Sequence, residues 1–99
     1  MIVKFLQSDG FAGLMKGVDL DTLKLPEKEA QELEGLVRDS GITAATESLS
    51  KSARDLQEYQ ITIDTSGSPL TAVFDDETLP KNARALVGFL KKRSGPKKL

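Results

Sequence analysis

The side chains able to do chemistry in this 99-residue chain are few in kind. It has no Cys and no His. That removes thiolate nucleophiles, disulfides and zinc–thiolate sites, together with the commonest general base and metal ligand. Asp, Glu, Lys, Ser and one tyrosine, Tyr59, are what remains for catalysis. A small enzyme acting through Asp, Lys or Tyr59 would need those groups held in a deep cleft that shifts their pKa values, and a core this small rarely encloses one. The expectation is therefore a binding protein with no catalytic residue, no metal ligand and no cofactor.

Three local patterns invite a chemical reading. Asp75-Asp76-Glu77 suggests a divalent cation, but calcium loops draw oxygens from spaced positions, and three consecutive acids before a helix start read as solvated. Glu27, Glu29, Glu32 and Glu34 read as a charged, solvated helix face. Gly10-Phe11-Ala12-Gly13 matches the GXXG pattern of a KH-type RNA loop. That loop lies between helices with basic neighbours, whereas here the flanks are strand-like and the neighbour is Asp9. The segment Ser8 to Gly13 is unusual for another reason. A large aromatic, Phe11, lies where a turn is normally polar. Either Phe11 folds back to cap the core, or it is presented as an anchor between glycines that let a partner approach closely.

The surrounding elements follow from periodicity and punctuation. Ile2 to Gln7 is a short apolar, partly β-branched run that suits a strand, and Leu14 to Asp21 is a second strand-like run, with Leu14, Val18 and Leu20 on one face, interrupted by Lys16. Separated by the Ser8-Asp9-Gly10 turn chemistry, they predict an antiparallel hairpin. Pro26 followed by Glu27 and Glu29, the stripe Ala30, Leu33, Leu36 and Val37, and the stop at Gly41 predict a helix from Pro26 to about Ser40. Residues 42–56 show no clear period. Glu58 to Thr65 alternates, with Tyr59, Ile61 and Ile63 on one side, and returns through Ser66-Gly67-Ser68-Pro69 to Leu70 to Phe74, a second hairpin. Pro80, then Ala83, Leu86, Val87 and Leu90, predict a final helix closed by Lys91, Lys92 and Arg93. The order ββαββα predicts an α+β fold: a twisted four-stranded, mostly antiparallel sheet with two helices packed on one face. Strand order is left open.

Length supports one domain, residues 1–93, followed by a basic flexible tail over 94–99. The composition, 38% hydrophobic and 29% charged, suits a globular domain rather than a disordered one. No run approaches the length of a membrane span. Ile2 to Leu6 is too short for a signal segment, so the expected compartment is the cytoplasm. Lys91, Lys92, Arg93, Lys97 and Lys98 carry the C-terminal charge. The rest holds nine basic against fifteen acidic residues, a charge of −6, which argues against a nucleic-acid-binding face.

Ser8-Asp9-Gly10-Phe11-Ala12-Gly13-Leu14, the strand ending Val18-Asp19-Leu20-Asp21, and the helix start Leu25-Pro26-Glu27 through Ala30 occur in a recognisable order. With Leu33, Leu36 and Val37, the strand Tyr59 to Ile63, and Leu79-Pro80, the chain resembles the emfourins. These are proteinaceous inhibitors of protealysin and related thermolysin-like zinc metallopeptidases. The likeness runs from Ile2 to about Leu90 and is weakest over 42–57. It implies that the first turn, Ser8 to Leu14, blocks a peptidase cleft, with Phe11 in the apolar pocket beyond the scissile bond and Asp9 or the Gly10 backbone near the peptidase's zinc. Where the family's turn reads Ser-Gly-Gly-Phe-Ala-Gly, Asp9 replaces the first glycine. Asp tolerates unusual turn conformations but brings a carboxylate towards a metal centre. The alternative is a non-catalytic interaction module in which the hairpin or a sheet edge binds another partner.

Overall fold

A computed structural model describes residues 1–9, 15–50 and 57–97, with Asp9 and Lys97 described by backbone alone. The elements are β1 (Ile2–Asp9), β2 (Met15–Asp21), α1 (Glu27–Ser40), β3 (Thr46–Ser48), β4 (Gln57–Asp64), β5 (Leu70–Asp75), α2 (Arg84–Arg93) and β6 (Gly95–Lys97). A 3-10 turn, Lys81–Ala83, leads into α2. Among the described residues, six strands form one sheet in the order β3-β5-β4-β1-β2-β6.

The centre of the sheet follows from alternation. β1 pairs antiparallel with both β2 and β4, and β4 pairs antiparallel with β5. Val3 lies opposite Leu20 and Ile63, and Phe5 opposite Val18 and Ile61. Because successive strand residues point to opposite faces, this register gathers Val3, Phe5, Tyr59, Ile61 and Ile63 on one face. Leu33 of α1 and Leu86, Val87 and Leu90 of α2 bury against them in one cluster. Both helices therefore cover the same face of the sheet, as expected. The opposite face is mixed: Lys4 lies opposite Asp19, and the Thr62 and Thr71 hydroxyls meet at 3.0 Å.

Helix α1 begins after Pro26 with Glu27 and Glu29 in its first turn and Arg38 in its last, the charge order the helix dipole favours. It ends on Gly41, whose φ of 76° is left-handed, a conformation that costs a residue bearing Cβ. Buried Ser40 seals that end: its Oγ donates to the Val37 carbonyl at 2.6 Å and accepts from the Ile42 N–H at 3.2 Å.

The predicted four-stranded sheet needs correction at both edges. β3 adds a strand parallel to β5, with Thr46 opposite Ala72. β6 adds one antiparallel to β2, with Lys16 opposite Pro96. The sheet is thus six-stranded and mixed. Neither edge strand could announce itself. Thr46-Glu47-Ser48 is exposed throughout and carries no apolar alternation. Gly95-Pro96-Lys97 falls in what reads as a frayed basic tail, and its Pro is of the kind confined to sheet edges. Among the described residues, no helix is long and apolar enough to cross a membrane.

Leu33 is fully buried between the helices and the sheet. Leu33→Ala is expected to lower unfolding stability by about 2–5 kcal/mol, read from the urea midpoint with an unchanged m-value.

Candidate functional site

The first hairpin converges on one end of the sheet. β1 and β2 stay paired as far as Ser8 opposite Met15, and β1 runs one residue further beside β4, with Asp9 opposite Gln57. β6 ends at the same level, with Lys97 opposite Met15. Of the residues the sequence singles out, Ser8 is placed in the last β1–β2 rung, and Asp9 ends β1. Gly10, Phe11, Ala12, Gly13 and Leu14 lie outside the described residues, as does the choice between a capping and a presented Phe11.

Beneath that end lies a polar network that the sequence reading missed. Tyr59, opposite Gln7 in β1 and Phe74 in β5, is 1% exposed, and its ring stacks on Phe5 at 6.2 Å. Its hydroxyl donates to Asp76 Oδ1 and accepts from Lys91 Nζ at 2.9 Å. Asp76 Oδ2 accepts the backbone N–H of Gln57 at 3.1 Å. The Gln57 side-chain oxygen accepts from Gln7 Nε2. Gln7 was the available signal. Its position continues the inward series Val3, Phe5, and a polar residue there needs a buried partner.

A Tyr, a Lys and an Asp in contact resemble catalytic machinery, but here the Tyr59 side chain is buried and its hydroxyl is engaged by both partners. Burial, then the Asp76 hydrogen bond and charge, push the Tyr59 hydroxyl well above its ordinary value. Tyr59 is held neutral as a donor to a carboxylate.

The acids after β5 are not uniformly solvated, a correction to the expectation for Asp75-Asp76-Glu77. Asp75 is 1% exposed. Its Oδ1 accepts the N–H groups of Glu77 and Thr78 at 2.8 and 2.9 Å, and its Oδ2 accepts that of Ser50 at 2.5 Å. The Thr78 hydroxyl accepts the Asp75 N–H at 2.9 Å and donates to the Ser48 carbonyl. One carboxylate thus joins the chain after β3 to the turn after β5. Among the described residues no group of His, Cys, Asp or Glu is placed to hold a metal ion.

Two pH effects follow with opposite signs. Hydrogen bonds, that of Ser50 first, hold the Asp75 carboxyl below its ordinary value. Its contribution is therefore present above the unfolded value near ~4 and is lost as the pH falls through the folded one. Asp75→Asn, which sets an amide group among N–H donors, is expected to lower Tm at neutral pH and to flatten the acid limb of stability. Tyr59, shifted upwards, contributes fully below the unfolded value of about 10 and less as the pH rises through its folded one. Since it is the single tyrosine, absorbance at 295 nm is expected to show no phenolate until the protein unfolds in alkali.

The arrangement is a hairpin end braced from below by the Tyr59 network. A family model described as Emfourin matches residues 7–91, a span that contains the first turn, the network, α1 and α2 up to Lys91. No curated protein and no solved structure matches the chain. With most of its length matched, the chain belongs to the emfourin family, a family of peptidase inhibitors.

Proposed function

We propose that this protein inhibits a thermolysin-like zinc metallopeptidase by lodging its first turn, Ser8 to Leu14, in the active-site cleft. The observation that carries the reading is the family match over residues 7–91, which includes the Gly10-Phe11-Ala12-Gly13 turn. Supporting it, the strands on either side of that turn are paired as far as Ser8 and Met15, so its two ends are held together before any partner arrives. A loop whose ends are fixed has less freedom to lose on binding.

Phe11 fills the apolar pocket beyond the scissile bond, and the glycines on either side leave room for the peptidase backbone. The zinc is the peptidase's own, since this chain has neither His nor Cys to bring one. Asp9, at the end of β1, carries the carboxylate nearest in sequence to Phe11 and is the residue that tunes the choice of peptidase. Burial of one Phe is worth about 1.5–3 kcal/mol, or roughly ten- to a hundredfold in affinity. Tight inhibition therefore needs further contacts from the strand ends beside the turn, Ser8 and Met15 among them.

Phe11→Ala is expected to leave thermal unfolding unchanged and to raise the inhibition constant by about ten- to a hundredfold, measured against a thermolysin-like peptidase cleaving a peptide substrate. Absence of inhibition by the wild-type protein across a panel of such peptidases would overturn the proposal. Melting of the domain by Phe11→Ala would show that Phe11 caps the core instead.

A further inference from the structure

We propose that Tyr59, Asp76 and Lys91, with Gln7 and Gln57, form a clasp that fixes the base of the first turn, making them positioning residues for the contact that the turn makes. The partner side of this inference rests on the inhibitor reading above; the clasp itself does not.

The geometry is specific to that place. Asp9 opposite Gln57 is the last described rung of β1 on β4. The ladder between β4 and β5 ends one residue short, at Glu58 opposite Asp75. The Asp76 carboxylate supplies the missing rung by accepting the Gln57 N–H at 3.1 Å. The other oxygen of the same carboxylate takes the Tyr59 hydroxyl, and Lys91 donates to that hydroxyl at 2.9 Å from the last turn of α2. Gln7 ties β1 to the same point through the Gln57 side chain. Four elements thus meet at one rung: β1, β4, the turn after β5 and α2.

Burial alone does not account for this composition. An apolar residue at position 7 would extend the inward row of Val3 and Phe5 and would need no partner. A polar network is directional, so it fixes orientation where apolar packing tolerates sliding. Asp76 and Lys91 are exposed, so water can replace the tyrosine hydroxyl on both. Removing that hydroxyl should therefore loosen the rung without unfolding the domain.

The test uses Tyr59→Phe, which keeps the ring on Phe5, and Lys91→Met, with Lys91→Arg as the conservative rescue. Amide exchange at Ser8, Met15 and Gln57 is expected to quicken roughly tenfold in the first two variants, the scale of one lost hydrogen bond. Exchange at Phe5 and Ile61 should quicken no more than at those three, and the domain should stay folded with its thermal midpoint lowered by only about 4–8 °C. Against a thermolysin-like peptidase, dissociation is expected to quicken by a similar factor with an unchanged association rate, and Lys91→Arg should restore both. Unchanged exchange at those three amides overturns the clasp. Faster exchange with an unchanged dissociation rate overturns its positioning role. If the wild type inhibits no such peptidase, the inhibitor reading fails, and exchange still decides whether the clasp exists.

Discussion

Strand β1 is paired along both edges, with β2 from Ile2 to Ser8 and with β4 from Ile2 to Asp9, and the rest of the molecule depends on that double register. A slip of one residue would turn Ile2, Lys4 and Leu6 towards the helices and expose Val3 and Phe5. The correct register also sets Gln7 opposite Tyr59 and Asp9 opposite Gln57. Where the first turn leaves the sheet, what lies beneath it and which face receives α1 and α2 are thus consequences of one pairing.

The parts legible in the sequence are those where periodicity and punctuation agree. Pro26 and Gly41 bracket α1, whose structure spans Glu27–Ser40. Tyr59, Ile61 and Ile63 alternate through β4, and all three are buried. What stayed hidden depends on contacts between residues distant in sequence. β3 exists because its backbone finds β5, not because Thr46-Glu47-Ser48 favours a strand. β6 exists because α2 ends beside β2. The same holds at the site. Nothing local marks Asp75 as buried and Asp76 as a bridging carboxylate, since their partners Ser50, Gln57 and Tyr59 lie 17 to 25 positions away. Gln7 was the exception, a polar residue at an inward position.

Membership of the emfourin family gives this architecture a purpose. An inhibitor that inserts a turn into a cleft needs a tip that adapts to a partner and a base that does not move. Under the proposed function, the paired strands with their polar network serve the second need. The acidic groups that resemble a metal site, and the Tyr–Lys–Asp contact that resembles catalysis, are both accounted for by the second. Asp75 fastens the chain after β3 to the chain after β5, and Asp76 completes the ladder beside the turn.

The most direct measurement of the central claim is the structure of the complex with a thermolysin-like metallopeptidase, in which the position of the first turn relative to the catalytic zinc can be seen. The account predicts the Phe11 ring in the apolar pocket beside the metal, with Ser8 and Met15 at the rim of the cleft and β1, β2 and β4 paired as described. A complex in which the helices or the β3 edge meet the peptidase while Phe11 stays packed on its own domain would contradict it.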